Sequence, residues 1–278
     1  MQTNTQKRIG ILRGGEERYY KSSLKKGGGI ILYLHENLLN KYKPIDILVD
    51  RDHIWHCNGT PTNPSDLMHQ VDIIWNTSHP SFSNILQSLS IPYIGVGFFT
   101  GTLLSDREIF RKHVKDIGIQ MPRHIIGPKS AKEVFEKISP PWIVNGELIK
   151  TFPELIRSIE DRVNHGQSIV IEEFIAGNPS TTHSVAGYRG EDIYVFPVQD
   201  ISENEKQKII SIAKKLHKYL DIKHYLKSEF ILHPTGQIYL RHIELTPDFK
   251  KDSHFHQVCE TVGAKAHEIV EHILERVF

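Results

Sequence analysis

The chain has 278 residues, enough for two or three small domains sharing cores. Thirty-four Lys and Arg against 33 Asp and Glu leave a formal charge of +1, with no basic stripe for nucleic acid and no acidic tail for a partner. Cys57 and Cys259 form no CxxC pair, which argues against a zinc cage or a disulfide framework and favours a reducing compartment. The apolar run after MQTNTQKR is too short for a signal segment. Nothing approaches the ~20 apolar residues that span a membrane. The expectation is a cytoplasmic protein with a small-molecule ligand, no nucleic acid and no membrane, and with most of its 17 histidines solvated.

In chain order, strands are expected at residues 8–12, 45–49 and 71–75, with a weak helix between the first two that presents Leu24, Ile31, Leu34 and Leu38. Gly27, Gly28 and Gly29 weaken that helix by about 1 kcal/mol each relative to alanine. Four later helices open with a Ser or Thr followed three residues on by Glu: Ser105 with Glu108, Ser130 with Glu133, Thr151 with Glu154, and Ser202 with Glu205. Gly118 and Gly166 stand at expected helix ends, and Pro140-Pro141 stops another helix. Strands follow at 142–144, 168–175 and 192–198, then a hairpin of 225–232 and 237–245 around His233-Pro-Thr-Gly236, and a last helix from about Gln257. The alternation of strands and helices predicts an α/β or α+β chain whose first hundred residues form a doubly wound domain.

No GxxxxGK[ST], HExxH or GxSxG occurs, and Gly14-Gly15 is not a dinucleotide fingerprint, which leaves a Rossmann dehydrogenase a remote reading. The hairpin holds the densest chemistry. Pairing Leu232 with Gln237 sets Glu229 opposite Leu240 and Lys227 opposite His242, so Lys227, Glu229, His242 and Glu244 share one face. Two carboxylates, an imidazole and an ammonium there point to a ligand or ion, or else to a solvated hairpin face. Glu172, at the end of an apolar strand, is placed to accept from a ribose or an adenine.

Several segments together resemble the D-alanine–D-alanine ligases of the ATP-grasp superfamily. They are KRIGILRGG, Ser23-Leu-Lys25, Asn76-Thr-Ser-His79, Ile91-Pro-Tyr-Ile-Gly95, Asp106 to Pro122, Ile171-Glu-Glu-Phe-Ile-Ala-Gly177 and FILHPTGQIYLRHIELTP. The resemblance implies an ATP-grasp fold with an N-terminal preATP-grasp α/β domain at 1–101, a shortened central subdomain at 102–177 and a C-terminal subdomain at 178–278. It also implies ATP-dependent carboxylate–amine ligation of an amino acid in peptidoglycan synthesis, two divalent ions and a possible homodimer. Carried across residue by residue, it puts Arg107 and Glu172 at the nucleotide, Lys227 and His79 at the reaction, and Glu229, His242 and Glu244 at Mg²⁺ or Mn²⁺. An imidazole at 242 suits manganese or zinc better than magnesium.

The departures from the family pattern concentrate at the phosphates. Asn145 stands where a lysine is expected, the glycine-rich loop after it is missing, the lid after Val198 is missing, and Tyr19 replaces the glutamate that holds the substrate amine. ATP binding is therefore expected to be weak or lost, and a non-catalytic binding or scaffolding relative is the competing reading.

Overall fold

The computed structural model describes residues 6–278. Its first sheet contains β1 (Lys7–Gly14), β2 (Tyr42–Val49), β3 (Trp55–Cys57), β4 (Thr60–Pro61), β5 (Ile73–Asn76) and β6 (Tyr93–Ile94), in the order β4-β3-β2-β1-β5-β6. β1 runs parallel to β2 on one side and to β5 on the other, and β6 runs parallel to β5. An inner parallel strand is covered on both faces, which is why the middle of β1 is an unbroken apolar run rather than an alternation. The helices α1 (Glu17–Asn37), α2 (Leu67–Gln70) and α3 (Phe82–Ser88) connect this sheet.

Two helices, α4 (Phe98–Ser105) and α5 (Arg107–Asp116), lead to a second sheet of β7 (His124–Ile126), β8 (Trp142–Val144), β9 (Glu147–Ile149) and β10 (Val170–Glu173), ordered β7-β10-β8-β9. Here α6 (Ala131–Lys137) and α7 (Phe152–Asn164) cover an apolar cluster around Trp142, Leu155 and Ile171. The third sheet, ordered β12-β11-β13-β14, contains β11 (Asn178–Ala186), β12 (Ile193–Val195), β13 (Tyr225–Leu232) and β14 (Ile238–Glu244). The remaining helices are α8 (Glu203–Tyr219), α9 (His254–Thr261) and α10 (Ala266–Glu275).

Each expected segment, 1–101, 102–177 and 178–278, owns one sheet, but compactness groups the chain into two units. The first unit comprises 1–112, 181–228 and 243–278; the second comprises 113–180 and 229–242. The first unit is discontinuous because one core joins Ile9, Ile11 and Trp75 of the first sheet to Phe255, Ile269 and Ile273 of the last helices.

Local signals explain most boundaries. Thr151 and Ser202 each accept from the backbone N–H three residues on, and the side chains of Glu154 and Glu205 reach back. The Ser105 expectation is corrected. Ser105 ends α4, and Asp106 caps α5 by accepting from Glu108 and Ile109 N–H at 2.8 and 3.1 Å. Asp in this role needs no capping box. The single last helix expected from Gln257 is two, broken where Gly263 takes φ +67°. The solvated-histidine expectation fails at His183, His217 and His224, which are buried. Among the described residues, no helix is long and apolar enough to cross a membrane.

Candidate functional site

At the carboxyl ends of β1 and β5 the strand order reverses, since β1 connects through α1 to β2 on one side while β5 lies on the other. Open parallel sheets bind ligands at such a switch point. Ser78 Oγ donates to Gly14 O at 2.6 Å and ties the two strand ends together. Gly15, at φ +85°, lies so close that a Cβ would stand 2.6 Å from the Phe82 ring and 2.7 Å from Ser78 Oγ. Only glycine fits both that backbone angle and that approach.

The expected residue His79 lies beside this turn. Its Nδ1 accepts from Ser81 N–H at 3.2 Å and meets Ser81 Oγ at 2.8 Å. Glu16 Oε1 stands 3.2 Å from the same nitrogen, and the Tyr19 ring centroid is 5.3 Å from the imidazole. Glu16 occupies the N-cap of α1 without making a side-chain capping bond, so its carboxylate is turned to His79. Glu16 is also exposed, so its carboxylate is open to a ligand's ammonium. Sequence reasoning found Tyr19 without a carboxylate and did not see that Glu16, one helical turn earlier, brings one.

Along α1 opens a cavity of about 520 Å³ within the first unit. Ser22, Lys25, Lys26 and Tyr33 form one wall, and Lys227, Glu244 and the segment 246–250 form the other. Lys26 Nζ stands 3.8 Å from a Glu244 carboxylate oxygen, and the Tyr33 and Phe249 rings meet tilted by 37° with centroids 4.7 Å apart. Two expected site residues, Lys227 and Glu244, therefore share this cavity.

Glu229 and His242 belong to the second unit, and the hairpin register is the reason for a correction. The expected Leu232–Gln237 pairing is one residue out. His233 N–H donates to Gln237 O at 2.9 Å, Gly236 N–H donates to His233 O at 2.8 Å, and Gly236 takes φ +81°. This is a turn with a bulged glycine, which inserts a residue on one strand. Near the turn the buried set is Phe230 and Leu232 with Ile238 and Leu240, and β14 then breaks its alternation at Arg241 and His242, both exposed. A one-residue slip exchanges the faces of a strand, so the four-residue face inferred from sequence is not continuous. Among the described residues no three His, Cys, Asp or Glu side chains stand together as a metal cage.

The nucleotide side shows the largest departure. Val144 pairs with Glu147, and the two residues between them, Asn145 (φ +49°) and Gly146 (φ +93°), turn a tight hairpin. Asn-Gly between apolar runs is the strongest short-range hairpin signal, and it was readable in the sequence. The amide of Asn145 is used at both ends: Nδ2 donates to Ser168 O at 2.8 Å, and Oδ1 accepts from Val170 N–H at 2.7 Å. Asn145, which stands where the family pattern has a lysine, is a structural staple, and β9 follows where that pattern has its glycine-rich loop. In β10, Glu173 binds Arg123 at 2.8 Å, which holds its carboxyl below the usual range, while Glu172 sits in register with His124 and Ile143. Arg107 opens α5 in the first unit, half-buried.

The model of the D-ala D-ala ligase C-terminus matches residues 185–275. A D-alanine–D-alanine ligase of Christiangramia forsetii is 21% identical over 97% of this chain and 98% of the relative; one from Clostridium botulinum is 22% identical over 96% and 97%. The chain is thus similar along nearly its whole length to D-alanine–D-alanine ligases, at low identity. A structure of the Bacillus anthracis ligase complexed with ATP superposes with a TM-score of 0.73 at 20% identity, covering 98% of this chain and 96% of that one. D-alanyl-alanine synthetase A of Vibrio cholerae gives 0.75 at 14% identity, covering 98% of both chains. The fold is thus the ATP-grasp fold of that ligase family, with the preATP-grasp sheet at its N-terminus.

Proposed function

We propose that this chain keeps the amino-acid recognition of a D-alanine–D-alanine ligase and binds ATP weakly, any turnover being ATP-dependent carboxylate–amine ligation. The observation that carries this is the contrast between Glu16 facing His79 at the switch point and Asn145 locked in a hairpin. An amino acid's ammonium placed at Glu16 donates to its carboxylate, and Tyr19 offers its ring face to the same charge.

ATP and a divalent metal are the working partners of the family, whose nucleotide positions fall in this sequence at Arg107 and Glu172, while the Asn145 turn replaces its phosphate loop. The side chain at Asn145 carries no charge, and a two-residue turn offers no chain of backbone N–H donors. Charge-assisted hydrogen bonds contribute about 1.5–3 kcal/mol each, so losing two or three moves a micromolar site to millimolar or weaker. A non-catalytic binding protein is the second reading, favoured by the same hairpin.

Calorimetric titration with Mg-ATP and Mn-ATP, followed by phosphate release in the presence of D-alanine, separates the readings. Low-micromolar ATP affinity overturns the weakened nucleotide site. Phosphate release dependent on D-alanine supports ligation, and its absence alongside D-alanine binding supports the non-catalytic reading.

A further inference from the structure

The cavity on α1 is larger and more cationic than an alanine needs. At about 520 Å³ it lies within the range of pockets that enclose drug-sized ligands. Its lining carries four ammonium groups, from Lys25, Lys26, Lys227 and Lys250, against three carboxylates, from Glu36, Glu244 and Asp248. Lys26 is engaged with Glu244. Among the described residues, Lys25 and Lys250 have no carboxylate within ion-pair distance, although both border a concave space where an anion would be partly screened from water.

Between these charges the lining turns apolar. Leu32 is 58% exposed at the cavity edge, Tyr33 packs against Phe249, and Pro247 belongs to the same lining. Gly29, with nothing within 4 Å of a would-be Cβ, leaves the middle of the wall flat. A ligand filling this space runs along α1. Ser22, the first helical residue of the wall, is about 9 Å along the axis from Glu16. An amino acid seated with its ammonium at Glu16 therefore reaches the cavity only with a longer side chain or a second residue.

We propose that the cavity takes an amino acid or short peptide bearing a second carboxylate beyond the α-carboxylate, with the distal carboxylate held by Lys25 and Lys250 and the intervening methylenes lying over Leu32 and Phe249. This rests on the amino-acid-binding reading above and names the ligand class of that site. The acids in the lining set the orientation: Asp248 and Glu36 repel a carboxylate from their own positions and leave the two lysines as its landing place. Asp248 is fixed by accepting from Lys250 N–H at 3.2 Å.

The test is a nucleotide-free calorimetric titration of the full chain with D-glutamate and D-glutamine, repeated with the L-enantiomers. The two side chains are near-isosteric and differ in charge. Glutamate is expected to bind at least tenfold tighter than glutamine in one enantiomeric series, and the preference should shrink as salt rises. Lys25→Ala and Lys250→Ala should each cut the preference at least threefold, and the double variant should remove it. Both lysines are exposed, so melting temperatures should stay unchanged. Equal binding of glutamate and glutamine, or no binding of either, overturns the proposal. D-alanine binding, or ATP turnover with D-alanine, accompanied by no glutamate preference leaves the ligase reading standing and removes this one alone.

Discussion

The two compact units have diverged from the ligase pattern in different ways. The first keeps charged groups that face a space: Glu16 against His79, and Lys227 and Glu244 in a cavity of about 520 Å³. The second has turned a position for charge into backbone structure, since both ends of the Asn145 amide bind the chain itself. A binding site tolerates replacement of one carboxylate by another a turn away, because an ammonium needs only an acceptor within reach. A triphosphate cradle needs several N–H donors at fixed spacing, and a two-residue turn cannot present them.

The largest effect that would sharpen this contrast is acid lability confined to the first unit. His183, His217 and His224 all lie there, and burial holds each as the neutral form, with His217 and His224 lowered to about 4. A histidine whose folded pKa is depressed binds its proton in the unfolded state first, so stability is lost as pH falls from about 6.5 towards 4 and levels off below. For His217 and His224 the loss is up to roughly 3 kcal/mol each. Hydrogen-exchange protection factors should fall over 181–228 in that window and hold over 131–171. Equal loss in both segments breaks the comparison.

Next in size is nucleotide affinity. A Kd for Mg-ATP at or above the millimolar range is expected, and Asn145→Lys alone should not restore it, because the hairpin remains. Recovery to micromolar by that single change would show that charge, and not loop geometry, was the missing part. Asn145→Ala removes two hydrogen bonds and puts at φ +49° a residue that tolerates the left-handed region less well than asparagine, so unfolding of the second unit should become easier by about 2 kcal/mol in urea titration.

Smaller effects separate recognition from packing. Glu16→Gln keeps the shape and removes the charge, and D-alanine affinity should fall about tenfold with no change in melting temperature. A drop in melting temperature without loss of affinity would make the carboxylate structural. Arg123→Ala should cost less than about 1 kcal/mol, since the arginine of the Glu173 pair is 58% exposed.

Legibility followed the range of the physical signal. β13 was read at its observed bounds because its residues alternate half-buried and buried over Tyr225–Leu232. The boxes at Thr151 and Ser202 were read because a cap and its Glu lie three residues apart. The β8–β9 hairpin was missed, although Asn145-Gly146 announces it, because residues 146–150 were read as leading straight into the next helix. The register of the last hairpin was missed by one residue because the bulge at Gly236 leaves no periodic trace of its own.

By itself the sequence determined the class of the chain, most of its strands, its resemblance to the ligases and the absence of a lysine at 145. Those follow from composition, periodicity and motif order, which are properties of neighbours along the chain. Only the tertiary structure decided that Glu16 faces His79, 63 positions away in the numbering, and that Lys26 meets Glu244 at 3.8 Å. It also decided that the set of 227, 229, 242 and 244 is divided between two compact units. The physical reason is that a site is made by distant segments packed on one core. The pull that assembles them, burial of residues such as Ile9, Tyr33 and Phe255 in a single cluster, is non-directional and leaves no spacing rule in the sequence.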